Sequence, residues 1–155
     1  MVHAVISFLE LNEEDDVLDL FCGIGNFSLS AAKFAKSVTG VEGVPLAITC
    51  AIQNKKSHQI ENVEFQKTSV LSFLKTTNEK YNKIIIDPPR TGVGESLGLV
   101  KKLAAESIVY VSCDVRALTN DLKLFKGYEV AKVQAIDMSP QTHHVETVVL
   151  LKKSG

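Results

Sequence analysis

Two side chains have the types that covalent acid–base chemistry needs, and both stand where an apolar run meets a polar one. Cys113 follows Ile108-Val-Tyr-Val-Ser112, and Glu146 lies near the start of the run that ends at Leu151. A thiol at the end of a strand and just before a helix meets backbone N–H groups that favour the thiolate. Asp114 beside it opposes that effect. A lone cysteine is more often a small buried hydrophobe, and Cys22 and Cys50 are read that way. Glu146, or a histidine of Ser139-Pro-Gln-Thr-His-His-Val-Glu146, can act as a general base in the same crevice. The plainer alternative makes that cluster a polar hairpin loop.

Three further carboxylates, Asp19, Glu42 and Asp87, occupy or end predicted strands. The carboxyl ends of parallel strands open on one crevice, so these groups are expected to converge. Asp19-Leu-Phe-Cys-Gly-Ile-Gly-Asn26 reads as strand, glycine turn and helix start, with Gly23 and Gly25 baring backbone N–H groups. The third glycine of a pyrophosphate turn is missing, and no G-x-x-x-x-G-K-[ST] occurs. An acidic strand followed by this turn suits a ligand with cationic and hydroxyl-rich parts, as in S-adenosylmethionine. Glu42 lies at the distance from the turn where an acid bonds a ribose diol; alternatively it caps the next helix. Asp87-Pro-Pro-Arg90 is a rigid loop that can hold a flat base, or simply a strand terminator.

These groups need a scaffold, and hydrophobic periodicity supplies one. Val2, Val5, Ile6 and Leu9 predict an opening helix. Strands are predicted at 16–21, 37–42, 63–66, 83–87, 108–112, 130–138 and 145–151, and helices at 26–35, 45–58, 70–74, 97–105 and 116–123. Five rounds of alternation imply an α/β fold with a doubly wound, mostly parallel sheet. The two closing strands, with no helix between them, imply an antiparallel strand at the C-terminal end. The 155 residues are expected to form one domain. A net charge of −1 argues against a broad basic nucleic-acid surface. The two arginines, Arg90 and Arg116, both lie beside the motifs. Three unpaired cysteines suggest neither a disulfide framework nor a zinc site. With no signal peptide or spanning segment evident, a cytoplasmic setting is expected, without membrane or metal.

Taken together, the motifs resemble the RNA (uracil-C5) methyltransferases, which make 5-methyluridine in rRNA and tRNA. The resemblance rests on Asp19-Leu-Phe-Cys-Gly-Ile-Gly-Asn-Phe27, Gly40-Val-Glu42, Asp87-Pro-Pro-Arg-Thr-Gly92, Tyr110-Val-Ser-Cys113, Asp121-Leu, Gly127-Tyr128 and Asp137 to Glu146. It implies a class I methyltransferase, Rossmann-like fold and an S-adenosylmethionine cofactor. It also implies that Cys113 attacks C6 of uracil and Glu146 removes the C5 proton. Phe21, Asn26, Glu42 and Asp87 would contact the cofactor, together with Asp19, Gly23 and Gly25 of the turn. Pro88, Pro89 and Arg90 would seat a uridine in a loop or flipped out of a helix. Ser69 stands where the family often has Asp or Asn near the adenine. Asp114-Val115 replaces Asn-Pro, and Ser139 replaces Phe. The family's upstream RNA-gripping domains and cofactor glutamine are expected to be absent, leaving one catalytic domain over 1–155. The other enzymatic reading is an amino-group methyltransferase with an Asp-Pro-Pro loop. The non-enzymatic one is a cofactor-binding scaffold.

Overall fold

A computed structural model describes residues 1–138, 141 and 144–155. The cluster residues Ser139, Pro140, Thr142 and His143 lie outside the described residues. Among the latter, helix α1 (Val2–Leu9) leads into a β/α alternation: β1 (Asp16–Leu20), α2 (Asn26–Ala32), β2 (Ser37–Glu42), α3 (Pro45–Ser57), β3 (Val63–Lys67) and α4 (Val70–Thr76). Then come β4 (Lys83–Ile86), α5 (Leu97–Lys102), β5 (Ser107–Ser112), α6 (Val115–Leu122), β6 (Tyr128–Asp137) and β7 (Val145–Lys153). The strands form one sheet in the order β3-β2-β1-β4-β5-β7-β6.

Strands β1 to β5 pair in parallel, whereas β7 runs antiparallel to both β5 and β6. The antiparallel strand expected at the C-terminus is therefore an interior strand, and β6 is the edge. Burial explains the arrangement. Val148 to Leu151 are all at most 1% exposed, as a strand covered on both faces requires. Along β6 nearly every residue is exposed.

Alternation along the strands sends side chains to two cores. Leu18, Leu20, Ile84, Ile86, Ile108 and Tyr110 pack with Val70 and Leu74 of α4, Leu97 and Val100 of α5, and Leu118 of α6. Val17, Ile85, Val109 and Val111 pack with Val5 and Leu9 of α1 and Phe27 and Ala31 of α2. The strand order reverses between β1 and β4, which opens a crevice at their carboxyl ends. No helix among the described residues is long and apolar enough to cross a membrane.

One boundary near the crevice differs from the periodicity: strand β1 stops at Leu20, because Phe21 turns to a φ of 60°. Helix α5 begins at Leu97 as expected, after a single 3₁₀ turn at Gly94–Ser96 that follows the Asp-Pro-Pro loop, and ends early, at Lys102.

Candidate active site

The turn after β1 is built from backbone bonds and two glycines. The Cys22 N–H donates to the Val41 carbonyl at 3.0 Å, and the Gly25 N–H to the Cys22 carbonyl at 2.9 Å. Gly23 and Gly25 adopt φ values of 55° and 89°, a region that side chains make costly. Their surroundings differ. A Cβ on Gly23 would meet open space, whereas one on Gly25 would lie 2.8 Å from the Phe65 ring. The same ring comes within 2.7 Å of a Cβ on Gly40, which pairs with Asp19 on one side and Phe65 on the other. Phe65 thus plugs the space beneath the turn. Asn26 opens α2 and is exposed.

Asp19 has the same parity as Val17 and is fully buried. Its Oδ2 accepts a 2.6 Å bond from Ser28 Oγ, and its Oδ1 has no partner. Burial pushes its pKa up to about 7; the Ser28 bond opposes this, and the Asp87 and Glu42 charges add to it. An unpartnered buried carboxylate oxygen costs free energy until something bonds it.

Glu42 closes the turn from β2. One carboxylate oxygen accepts from the Gly23 N–H at 3.1 Å and the other from the Val44 N–H at 2.8 Å. Val44 is the residue just before α3. Glu42 therefore ties the glycine turn to the start of the next helix. Asp87, just past β4, donates its N–H to the Leu20 carbonyl at 3.3 Å. Its pKa is pushed up to about 6 by burial and then by the Glu146 charge. Pro88 is buried, while Pro89 and Arg90 are exposed. Ser69 is exposed and caps α4, accepting the Ser72 N–H at 3.1 Å.

Cys113 is exposed at the end of β5, and Glu146 is half-buried at the start of β7. Ser112 pairs with Thr147 at the end of the antiparallel ladder, and Cys113 and Glu146 are the residues adjoining that last pair. Asp114 turns its carboxylate away into a helix cap, accepting the Ala117 N–H at 3.0 Å. Cys22 is buried, and burial followed by the Asp19 and Glu42 charges raises its pKa, which fits a packing role. Cys50 is half-buried. Four carboxylates thus share one crevice, linked in sequence by their charges: Glu42 to Asp19, Asp19 to Asp87, and Asp87 to Glu146. Such a field attracts a cation.

Along the whole chain, residues 1–154 match the model of the tRNA (uracil-5-)-methyltransferase family. The chain belongs to that family. It is 42% identical over 158 residues to the 23S rRNA (uracil(1939)-C(5))-methyltransferase RlmD of Haemophilus parainfluenzae, a match covering 99% of this chain and 36% of that protein. The RlmD of Vesicomyosocius okutanii is 43% identical, with the same coverage. The chain spans about a third of the length of these relatives. A Pyrococcus abyssi tRNA (uracil-54, C5)-methyltransferase, solved in complex with S-adenosyl-L-homocysteine, superposes with a TM-score of 0.83 at 30% identity. That match covers 96% of this chain and 37% of that one. A precorrin-6y methyltransferase from Geobacter metallireducens reaches a TM-score of 0.82 at 16% identity, a likeness of fold alone.

The structure adds residues to the family motifs that the sequence reading did not single out. Ser28 and Phe65 act on the turn from other elements, and their roles arise only when β3 and α2 meet β1. A cleft of about 980 Å³ lies away from the crevice at the amino ends of β2 and β3, between Lys36, Asn62, Phe73 and Tyr81. It gathers none of the family's motif residues. Among the described residues no group of three or more His, Cys, Asp or Glu is arranged to hold a metal ion.

Proposed function

We propose that this chain is the catalytic domain of an S-adenosylmethionine-dependent RNA methyltransferase that forms 5-methyluridine in rRNA or tRNA in the cytoplasm. The observation that supports the reading is the β5–β7 ladder, whose last pair, Ser112 with Thr147, has Cys113 as the next residue on one strand and Glu146 as the preceding residue on the other. The curated relatives are RlmD enzymes, and the Pyrococcus relative binds a product of the same cofactor.

The residues present fit that cofactor. The unpartnered Asp19 Oδ1 and the open space over Gly23 lie at the acidic turn. Asp19, Phe21, Asn26, Glu42 and Asp87 would hold the ligand, with Ser69 near its base. Bound there, the cofactor supplies a methyl group on a sulfonium.

Uracil C5 is too weak a nucleophile to take a methyl unaided. The Cys113 thiolate adds to C6, forming a C–S bond and moving the electron pair onto C5 as an enolate. C5 then takes the methyl. Glu146 removes the C5 proton, the C5–C6 double bond re-forms, and the C–S bond breaks to return the thiolate. Pro88, Pro89 and Arg90 seat the base, which must be unstacked for C5 and C6 to be reached.

The test is incubation with labelled S-adenosylmethionine and RNA containing 5-fluorouracil, then a denaturing gel. Fluorine at C5 cannot leave as a proton, so the adduct persists. A labelled band of protein bound to RNA is expected, and Cys113→Ala should abolish it while leaving calorimetric cofactor affinity unchanged. A parent protein that forms no such band overturns the reading.

A further inference from the structure

The nucleophile and the base-seating loop lie on different strands, and a single buried oxygen joins their supports. Asp121, on α6, is 8% exposed. Its Oδ2 accepts a 2.6 Å bond from the Tyr110 hydroxyl and a 2.9 Å bond from the Val93 N–H. Tyr110 is fully buried on β5, three residues before Cys113. Val93 lies three residues beyond Arg90, where the Asp87-Pro-Pro-Arg loop has just closed through a 2.9 Å bond from the Gly92 N–H to the Pro89 carbonyl. Gly92 has a φ of 91°, and a Cβ there would lie 2.7 Å from the same Oδ2. The contact therefore excludes every side chain at position 92. Helix α6 also begins at Asp114, next to Cys113, so Asp121 reaches the nucleophile turn by a second route.

We infer that Asp121 is a positioning residue for the methyl transfer proposed above, fixing the distance between the Cys113 turn and the uracil-seating loop. It touches neither substrate nor cofactor. The hydrogen-bonded hydroxyl of Tyr110 and the amide of Val93 cannot separate while both hold one oxygen. The Tyr110 pKa is raised by burial and then by this carboxylate, so the phenol remains a donor. The cofactor turn at Gly23 and Gly25 is not part of the linkage.

That separation gives the test its readout. Asp121→Ala, Tyr110→Phe and the double variant are compared with the parent in three measurements: the rate of adduct formation with 5-fluorouracil RNA, calorimetric affinity for S-adenosylmethionine, and thermal unfolding. Misplacing a reacting group by about 1 Å costs rates on the order of 100-fold. Each single variant should slow adduct formation by at least about tenfold, with cofactor affinity held within about twofold. The double variant should be no slower than the worse single one, since both break the same link. Tyr110→Phe keeps the core volume and stands in if Asp121→Ala does not fold. Adduct formation at the parent rate in Tyr110→Phe and in any folded Asp121→Ala overturns the inference while leaving the methyltransferase reading intact. So does a loss that tracks cofactor affinity. A parent that forms no adduct overturns both.

Discussion

The two halves of the crevice are built in opposite ways. At β1 and β2, Asp19 is sealed from solvent, Glu42 has both oxygens bonded, and Phe65 fills the space under two glycines. At β5 and β7, Cys113 is exposed, Glu146 is half-buried, and Arg90 and Arg116 stand in solvent. One half is packed to a fixed shape, and the other presents reactive groups on a surface. On the proposed function, the difference follows from what each half would do. A small cationic ligand of constant shape rewards a rigid, dry cradle. A base arriving on a polymer needs an open approach, so order on that side comes from behind, through Tyr110 and Asp121. Charge does not divide in the same way: the carboxylates run through both halves, from Glu42 to Glu146, and the chain's two arginines follow β4 and β5.

The contrast can be broken most forcefully at the open half. Glu146→Gln should still form the covalent RNA adduct but fail to release it, lowering turnover roughly 10²–10⁴-fold. Steady-state turnover measured beside adduct accumulation checks this; release at the parent rate would assign the base to another group. A smaller effect separates two glycines two residues apart in the packed half. Gly23→Ala should cost about 1–2 kcal/mol of stability from its positive φ alone. Gly25→Ala should cost about 1–3 kcal/mol more, because Phe65 is in the way. Urea unfolding of the two variants measures the gap, and equal midpoints would remove Phe65 from the account. The packed half also sets a pH dependence. Folding raises the pKa of Asp19 from 3.8 to about 7 and of Asp87 from 3.8 to about 6. Both carboxyls hold protons more tightly folded than unfolded, so stability falls as pH rises through this window. The slope is about 1.4 kcal/mol per pH unit for each group still protonated. Without cofactor, the urea midpoint should be lower at pH 7.5 than at pH 5. Asp19→Asn should narrow that gap. A parent midpoint that climbs over the interval would contradict the buried, unpartnered Asp19.

The strands of the first five rounds were legible because each is a short apolar run bounded by turn residues, and the motifs mark their carboxyl ends. The convergence of Asp19, Glu42 and Asp87 followed from parallel topology alone. The place of β7 was not legible. Two successive strands read as an antiparallel addition at the C-terminal end, which is what forms; their order in the sheet was not part of that reading, and the full burial of Val148 to Leu151 goes with the inner place of the last strand. Phe65 looks like any strand aromatic until Gly25 and Gly40 are seen to leave it room. Asp121 carries a helical-surface residue type, and its burial depends on Tyr110 and Val93 arriving from two other elements. Periodicity reports which face a residue shares. It does not report which distant donor that face will meet.

Interior placement of the last strand also sets a timetable for the growing chain. As the polypeptide leaves the ribosome, β1 to β5 can pair and collapse in the order in which they are made. The outer edge of β5 stays bare until residues 145–153 emerge. Strand β6 is finished earlier and has no neighbour in the sheet until β7 arrives to bridge it. These pairings span the chain from Ser107 to Lys153 and close late, as non-local contacts do. During that interval a bare strand edge is open to the wrong partner. The β5–β7 pairing that ends beside Cys113 is therefore the last part of the sheet to be written. A nascent chain can complete the β1–β2 half of the crevice well before it brings the two residues proposed as nucleophile and base onto one sheet.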